Sequence, residues 1–148
     1  RHAFDVPAMP EEVRFNREKI LIAEDNELNA EILKTLLESR NLSVVWAENG
    51  KVAAERFAES EPGEYAAILM DVRMSVMDGL EATRHIRGMT REDARCIPIF
   101  ALSANAFADD IQRSLQCGMN THFNKPVDMD SICAALHYWL EHDKGNRP

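Results

Sequence analysis

The chain alternates short apolar runs with longer amphipathic segments, and this alternation constrains its fold more than any other feature. A strict strand–helix order predicts an α/β fold, in which a parallel sheet is covered by helices on both faces. The runs lack a two-residue polar alternation, as expected of strands buried on both sides. The predicted strands are KILIA (19–23), SVVWA (43–47), YAAILM (65–70), IPIFAL (97–102) and THF (121–123).

Apolar residues at helical spacing predict a helix after each strand. The predicted helices cover residues 26–40, 49–60, 79–89, 106–116 and 128–141. Asn26 and Asn49 can cap the first two helices, and Gly118 is a candidate cap after the fourth. The apolar residues that carry the helical period or are expected to face inward are Leu28, Ile32, Leu36, Leu37, Ala53, Phe57, Phe107, Ile111, Leu115, Met129, Ile132, Cys133, Leu136 and Leu140.

The 148 residues suit a single domain with one core. Residues 1–18 contain two prolines and no sustained period, so we interpret them as a linker or tail from a longer chain. The chain begins with Arg1, which fits a segment cut from a longer protein or a processed form. We expect the domain at 19–141 and a C-terminal tail at 142–148.

Composition excludes some classes of function. The net charge of -8 disfavours nucleic-acid binding through phosphate neutralisation. No apolar run approaches the roughly 18 residues of a membrane span, so we expect no membrane contact by this segment. Three cysteines without C-x-x-C spacing argue against a disulfide framework or zinc site, and favour a reduced, cytoplasmic location.

Polar residues follow the predicted strands at their carboxyl ends, where sites form in open α/β sheets. Glu24 and Asp25 follow the first strand, Asp71 the third, Ser103 the fourth and Lys125 the fifth. Two carboxylates about 4 Å apart repel by roughly 4 kcal/mol at an effective dielectric constant of about 20, and one lysine cannot offset three of them. The carboxylates at this edge of the sheet must therefore take up a proton or bind a cation. Oxygen ligands favour Mg²⁺ or another hard divalent ion such as Mn²⁺.

Each of these residues also has a structural interpretation when taken alone. Asp71 fits a loop or capping aspartate, Ser103 a helix cap, and Lys125 a solvated surface lysine. Their gathering at one edge of the predicted sheet favours a functional site over independent structural roles. Mg²⁺ keeps coordination positions open for water and phosphate oxygens, which leaves room for a phosphoryl group between metal and lysine.

At these residues the sequence resembles the receiver domain of two-component response regulators. The segments that carry the resemblance are ILIAEDNELN (20–29), ILMDVRMSVMDGLEATRHIR (68–87), IPIFALSANA (97–106) and FNKPVD (123–128). The resemblance implies a flavodoxin-like five-stranded parallel sheet of order 2-1-3-4-5. The details are most similar to receivers of hybrid sensor histidine kinases, although a stand-alone regulator would look similar.

The resemblance also implies roles. Asp71 would be the phosphoacceptor in a Mg²⁺-dependent transfer from the phosphohistidine of a histidine kinase or histidine phosphotransfer domain. Asp25, Asp71 and the backbone carbonyl of Arg73 would ligate the metal, with Glu24 acting through a metal-bound water. Lys125 and Ser103 would contact phosphoryl oxygens. The domain would catalyse its own phosphorylation and dephosphorylation, and would switch the face formed by helix 106–116, strand 121–123 and helix 128–141.

The sequence departs from the family pattern in three places. Ser75 stands where the family usually has proline, and His122 stands where it often has an aromatic switch residue. His122 fits either a switch whose charge changes near pH 6.5 or a solvated edge-strand histidine. We expect Arg73 and Asn105, which flank the phosphate position, to set the lifetime of the phosphoryl group. The Lys125–Pro126 bond is commonly cis in this family.

Other classes of protein remain as alternatives. A pseudo-receiver would use the same fold as an interaction module without phosphorylation, although all five site positions carry competent residues. An aspartate-nucleophile phosphatase usually has a second aspartate two residues after the nucleophile, where this chain has Arg73. A flavodoxin-like cofactor binder would want a Gly/Ser/Thr-rich loop after the first strand, where AEDNELN is acidic.

Overall fold

The computed structural model describes residues 15–104 and 108–143, and it contains a five-stranded parallel sheet of order β2-β1-β3-β4-β5. The predicted fold class and strand order are therefore confirmed. The strands are β1 (Lys19–Ala23), β2 (Ser43–Ala47), β3 (Ala67–Asp71), β4 (Ile99–Ser103) and β5 (Thr121–Asn124). The helices are α1 (Glu27–Glu38), α2 (Gly50–Glu59), α3 (Gly79–Arg87), α4 (Asp93–Cys96), α5 (Ala108–Gln116) and α6 (Met129–Asp143).

The strand register aligns the carboxyl ends of the central strands. Ala23 of β1 pairs with Met70 of β3, and Asp71 pairs with Leu102 of β4. Every residue of β3 and β4 is buried, because helices cover both faces of the sheet. The residues that follow these strands are therefore delivered to one edge by a rigid support.

The core has two parts, one on each face of the sheet. Alternate residues of β1 divide between them, with Ile20 and Ile22 on one face and Leu21 and Ala23 on the other. Helices α1 and α6 cover the first face, whereas α2, α3 and α4 cover the second. Ala53 and Phe57 of α2 are buried, as predicted. The inward residues of α6 are also confirmed, with Ile132, Cys133, Leu136 and Leu140 buried and Met129 partly buried.

Helix α1 is confirmed, but its buried face differs from the apolar stripe that indicated it. Leu28, Ile32 and Leu36 are 68%, 50% and 40% exposed. The buried residues are Ala30, Leu33 and Leu37. Helical periodicity identifies a helix but not the face that meets the sheet, and two apolar stripes coexist here. Similarly, Leu115 of α5 is exposed, and Phe107 lies outside the described residues.

The predicted caps form where the sequence placed them. Asn26 accepts a hydrogen bond from the N–H of Asn29 at 2.9 Å, and Asn49 accepts one from the N–H of Val52 at 2.9 Å. Gly118 adopts a φ of +112°, the left-handed region expected just after a helix. The short helix α4 was not predicted, because four residues carry no helical period.

Phe15 is the first described residue, and it packs into the core on the α1 side of the sheet. Its N–H donates to the carbonyl of Arg40 at 3.1 Å. Residues 1–14 and 144–148 of the predicted linker and tail lie outside the described part of the chain, as do residues 105–107. No helix within 15–104 or 108–143 is long and apolar enough to cross a membrane.

A group of side chains that we call the Arg91 cluster (Arg91, Asp93, Phe57 and Ser60) ties the connection between α3 and β4 to the end of α2. Arg91 binds both carboxylate oxygens of Asp93, at 2.7 and 2.8 Å. It also donates to the carbonyls of Phe57 and Ser60, at 2.8 and 3.0 Å, and to the Ser60 hydroxyl at 3.3 Å. All five guanidinium N–H donors therefore have acceptors.

Candidate functional site

The strand ends bring two buried carboxylates onto one lysine. The Lys125 Nζ lies 2.9 Å from Glu24 Oε1 and 2.7 Å from Asp71 Oδ2. Glu24 is 3% exposed and Asp71 is 4% exposed. Asp25 follows Glu24 and is exposed. We call Glu24, Asp25, Asp71 and Lys125 the acid cluster.

Glu24 is held by its main chain as well as by its side chain. Its N–H donates to the carbonyl of Ala47 at 3.1 Å, which continues the ladder between β1 and β2. Its carbonyl accepts the indole N–H of Trp46 at 2.7 Å, and its Oε2 accepts the N–H of Asn26 at 3.1 Å. These contacts fix the orientation of the Glu24 carboxylate toward Lys125.

Asp71 ends β3, and the residues after it turn the chain tightly. The N–H of Val72 donates to the carbonyl of Leu102 at 2.9 Å, and the N–H of Gly79 donates to the carbonyl of Val72 at 2.9 Å. A Cβ added at Gly79 would collide with the backbone carbonyl of Asp71. Glycine is thus required for the close approach that seats the carboxylate.

Burial and charge set the protonation behaviour of the acid cluster. Burial raises the pKa of Asp71 to about 6, the hydrogen bond from Lys125 opposes that rise, and the charge of Glu24 adds to it. Burial disfavours the charged form of Lys125, but its contacts with Asp71 and Glu24 outweigh burial and raise its pKa. The cluster thus carries more negative charge than its lysine neutralises.

The same residues fit a hard divalent cation. Glu24, Asp25 and Asp71 each offer a carboxylate oxygen, and these oxygens lie within 4.8 Å of one another. The donor set contains oxygen alone, and one of its members is exposed, which gives an ion a route from solvent. Since one lysine leaves the three carboxylates undercompensated, added positive charge is favoured here.

The loop between β3 and α3 contributes a contact that the sequence did not predict. The N–H of Ser75 donates to Asp25 Oδ2 at 3.1 Å. The loop is itself anchored, because the N–H of Met77 donates to the carbonyl of Ser75 at 2.7 Å and the N–H of Gly50 donates to the carbonyl of Met77 at 3.0 Å. Val76 has a φ of +69°, which is unusual for a β-branched residue.

The remaining candidate residues occupy distinct places around the acid cluster. Ser103 is buried at the end of β4, and its carbonyl accepts the N–H of Lys125 at 2.8 Å. His122 lies half-buried in β5, opposite Ala101. Arg73 is exposed in the loop after Asp71. Asn105 lies outside the described residues, so its predicted place beside the phosphate is not described.

The peptide bond between Lys125 and Pro126 is cis, as the resemblance implied. An apolar groove of about 400 Å³, which we call the α1 groove, begins at the acid cluster and runs along α1. The α1 groove was not predicted, because Ile32 and Leu36 were expected to be buried in the core. Its lining is formed by Glu24, Asn29, Ile32, Leu33, Leu36, Leu102, Lys125, Pro126 and Val127.

Comparison with curated proteins finds similarity to segments of sensor kinases. It is 37% identical over 113 residues to hybrid signal transduction histidine kinase I of Dictyostelium discoideum, covering 75% of this chain and 6% of that protein. It is 35% identical over 138 residues to the autoinducer 2 sensor kinase/phosphatase LuxQ of Vibrio vulnificus, covering 90% of this chain and 15% of that protein. The chain thus spans a small part of the length of these curated relatives.

Solved structures share the fold. The receiver domain of the sensor histidine kinase PA1611 from Pseudomonas aeruginosa, described with a magnesium ion coordinated in its active site cleft, is 39% identical with a TM-score of 0.73. That match covers 84% of this chain and 98% of the other. A co-crystal of the Saccharomyces cerevisiae histidine phosphotransfer protein Ypd1 and the Ssk1 receiver domain gives 30% identity and a TM-score of 0.74, covering 84% and 90%.

The family model for the response regulator receiver domain matches residues 20–137, which include β2 to β5, all of β1 except Lys19, and every member of the acid cluster. This match covers most of the chain and agrees with the sheet order, with the sequence relatives and with the solved neighbours. The chain belongs to the response regulator receiver domain family.

Proposed function

We propose that this domain accepts a phosphoryl group from a phosphohistidine onto Asp71 in a Mg²⁺-dependent reaction. The observation that carries the proposal is the contact of Lys125 with Asp71 Oδ2 at 2.7 Å, inside a cluster of three carboxylates. An ordinary structural ion pair would have no use for the two additional acids, which add repulsion at this edge.

In the proposed reaction an Asp71 carboxylate oxygen attacks phosphorus, the bond between phosphorus and the donor imidazole nitrogen breaks, and the imidazole leaves with the electron pair. Strand β3 holds the nucleophile, and burial excludes competing water from most of it. Lys125 moves its charge from Asp71 toward the phosphoryl oxygens as the acyl phosphate forms. Mg²⁺, held by Glu24, Asp25 and Asp71, would supply further positive charge.

The phosphodonor that the site supports is a histidine phosphotransfer domain or a histidine kinase. The α1 groove is continuous with the acid cluster, because Glu24 and Lys125 line both. A donor that brings its imidazole to Asp71 must therefore cover this groove. The exposed side chains of Leu28, Ile32 and Leu36 recur every four residues, which suits packing against a helix of such a donor. The neighbour bound to Ypd1 agrees with this class of partner.

The chemical step is tested by incubating the domain with Mg²⁺ and acetyl phosphate and measuring its intact mass. We expect one added phosphoryl group in the wild type and none in Asp71→Asn. Glu48→Gln is the matched control, because Glu48 is an exposed acid after β2 that lies outside the acid cluster. An unmodified wild type would favour the pseudo-receiver alternative, and an adduct in Asp71→Asn would place the acceptor elsewhere.

The docking step is tested by comparing phosphoryl transfer from a phosphorylated histidine phosphotransfer domain with labelling by acetyl phosphate. Ile32→Ser should lower the ratio of the two rates by about tenfold, which is the effect of losing one well-packed apolar contact. Leu115→Ser is the matched control, since Leu115 and Ile32 are both 50% exposed but Leu115 lies on α5. An equal effect of the two substitutions would contradict docking at the α1 groove.

We also infer that the parent chain is a hybrid histidine kinase. The curated relatives described above are sensor and hybrid histidine kinases, and this chain matches a small part of each. The experiment is to sequence the complete reading frame of the parent gene. A kinase region encoded before residue 1 would support the inference, whereas a DNA-binding or other output region after residue 148, without a kinase region, would contradict it.

A further inference from the structure

We propose that the main-chain N–H of Ser75 is a positioning group that holds Asp25 in the orientation needed for metal binding. This inference rests on the proposed Mg²⁺-dependent function and adds a residue to its machinery. It also gives a physical role to a position at which this chain departs from the usual proline of its family.

The observation is the hydrogen bond from Ser75 N–H to Asp25 Oδ2, at 3.1 Å. Asp25 is the exposed member of the acid cluster, whereas Glu24 and Asp71 are buried and bound to Lys125. Within residues 15–104 and 108–143, this is the one hydrogen bond made by the Asp25 side chain. Asp25 therefore depends on the loop after β3 for its orientation.

The donor is available because residue 75 is not proline. Proline has no N–H, so a chain with proline here would leave Asp25 without this contact. The side chain of Ser75 is exposed and makes no hydrogen bond to the described residues, so the structure uses the amide and not the hydroxyl. Any residue other than proline would keep the donor.

The amide is held in place from the far side of the loop. The N–H of Met77 donates to the carbonyl of Ser75 at 2.7 Å. The carbonyl of Met77 in turn accepts the N–H of Gly50, the first residue of α2, at 3.0 Å. The Ser75 N–H that contacts Asp25 is therefore held in place through α2, which packs on the sheet, and not by the loop alone.

This geometry favours metal binding in two ways. The hydrogen bond engages Oδ2 and leaves Oδ1 available as a ligand. It also restricts the rotamers of an exposed side chain before the ion arrives, so less conformational entropy is lost on binding. The opposing effect, withdrawal of charge from the carboxylate, is smaller because the amide is a neutral donor.

The test is a calorimetric titration of Mg²⁺ into the wild type, Ser75→Ala and Ser75→Pro. Alanine keeps the N–H and removes the hydroxyl, so its dissociation constant should stay within about twofold of the wild type. Proline removes the N–H, so we expect an affinity about threefold to tenfold weaker, the range for one exposed hydrogen bond. An affinity of Ser75→Pro equal to or tighter than that of Ser75→Ala would overturn the proposal.

A second measurement does not depend on whether the proline variant folds. Amide hydrogen exchange at Ser75 in the Mg²⁺-free wild type should be slowed by the bond to Asp25, and Asp25→Ala should speed it severalfold. The amide of Glu48 serves as a distant reference. Equal exchange at Ser75 in the two proteins would show that the bond does not form in solution and would overturn the proposal.

The outcomes separate this inference from the function on which it rests. A wild type that binds Mg²⁺ and becomes phosphorylated, together with indistinguishable Ser75 variants, would overturn the positioning role alone. A wild type that binds no Mg²⁺ would overturn the positioning role and the proposed metal dependence together.

Discussion

The molecule contains two partly buried clusters of charge, each with a cation 2.7 Å from an aspartate, that differ in how far their charges balance. In the Arg91 cluster one guanidinium meets one carboxylate, and main-chain carbonyls and a hydroxyl take its remaining donors. In the acid cluster one lysine faces two buried carboxylates, with a third beside them. The first cluster is balanced, and the second is not.

The pKa values of Asp93 and Asp71 shift in opposite directions, which reflects this difference in charge balance. The hydrogen bonds from Arg91 lower the pKa of Asp93, which is the ordinary result of pairing. Burial, together with the charge of Glu24, raises the pKa of Asp71 despite its contact with Lys125. A paired acid with a lowered pKa indicates structural stabilisation, whereas a paired acid with a raised pKa marks a candidate site.

The largest expected effect on stability belongs to the balanced cluster. Arg91→Met should lower the free energy of unfolding by about 2–4 kcal/mol, because it removes five donated hydrogen bonds and leaves Asp93 without its cation. It also removes the guanidinium that lies 4.3 Å from the centre of the Phe57 ring. Urea denaturation measures the loss.

Arg95→Met is the matched control, because Arg95 is an exposed arginine on the neighbouring helix α4, and its effect should stay within about 0.5 kcal/mol. Neither substitution should change the affinity for Mg²⁺. A loss below about 1 kcal/mol in Arg91→Met, or a change in metal affinity, would break the distinction between the two clusters.

The second effect has the opposite sign and belongs to the acid cluster. Because the folded state raises the pKa of Asp71 to about 6, its contribution to stability is present at low pH and is lost as pH rises through that value. Asp71→Asn removes the buried charge, so in EDTA at pH 8 it should raise the free energy of unfolding by about 1–3 kcal/mol. This gain should shrink as pH falls below 6 towards the unfolded pKa.

Urea denaturation from pH 4 to pH 8 measures this profile. The control, Glu48→Gln, should show no comparable slope, since Glu48 is exposed. Destabilisation by Asp71→Asn at pH 8, or a gain that does not vary with pH, would show that Lys125 already balances the acid cluster.

The smallest expected effect on stability is that of Asp93→Asn, in the Arg91 cluster. Asp93→Asn should cost about 1 kcal/mol at pH 7, because asparagine keeps one acceptor for Arg91 and loses the charge. Since folding lowers the pKa of Asp93, its contribution is present above the unfolded pKa and is lost as pH falls through the folded value. The gap from the wild type should hold from pH 8 to pH 5 and close only in more acidic buffer.

The same urea series, extended to pH 3, gives the measurement. The two aspartate substitutions should therefore change stability with opposite signs: the gain from Asp71→Asn grows as pH rises through about 6, whereas the loss from Asp93→Asn is constant above pH 5 and disappears only in more acidic buffer. Parallel profiles would remove the basis for treating the clusters as different in kind.

The edge that carries the acid cluster could be predicted from the sequence, because topology determines it. Once the strands are assigned to a parallel sheet, residues that follow them must meet at one edge, and Glu24, Asp71 and Lys125 do so. The inward residues of α6 were predictable from helical spacing, since Ile132, Cys133, Leu136 and Leu140 recur at that spacing and are buried.

Other features could not be predicted, because main-chain groups or competing patterns determine them. The Arg91 cluster depends on carbonyls 31 and 34 residues away, and carbonyls have no sequence signature. The exposed stripe of α1 arose because two apolar stripes share that helix. The contact of the Ser75 amide with Asp25 could not be predicted either, because every residue other than proline has a main-chain N–H.

Gly79 limits how far the loop between β3 and α3 can vary in sequence. A side chain at this position would press on the backbone of Asp71, whereas the side chains of Ser75 and Val76 are exposed. A randomised library covering 72–79, sorted for phosphorylation, should return varied residues at 75 and glycine alone at 79. We therefore expect inherited variation in this loop to be confined to its middle, and Gly79, the first residue of α3, to tolerate almost none.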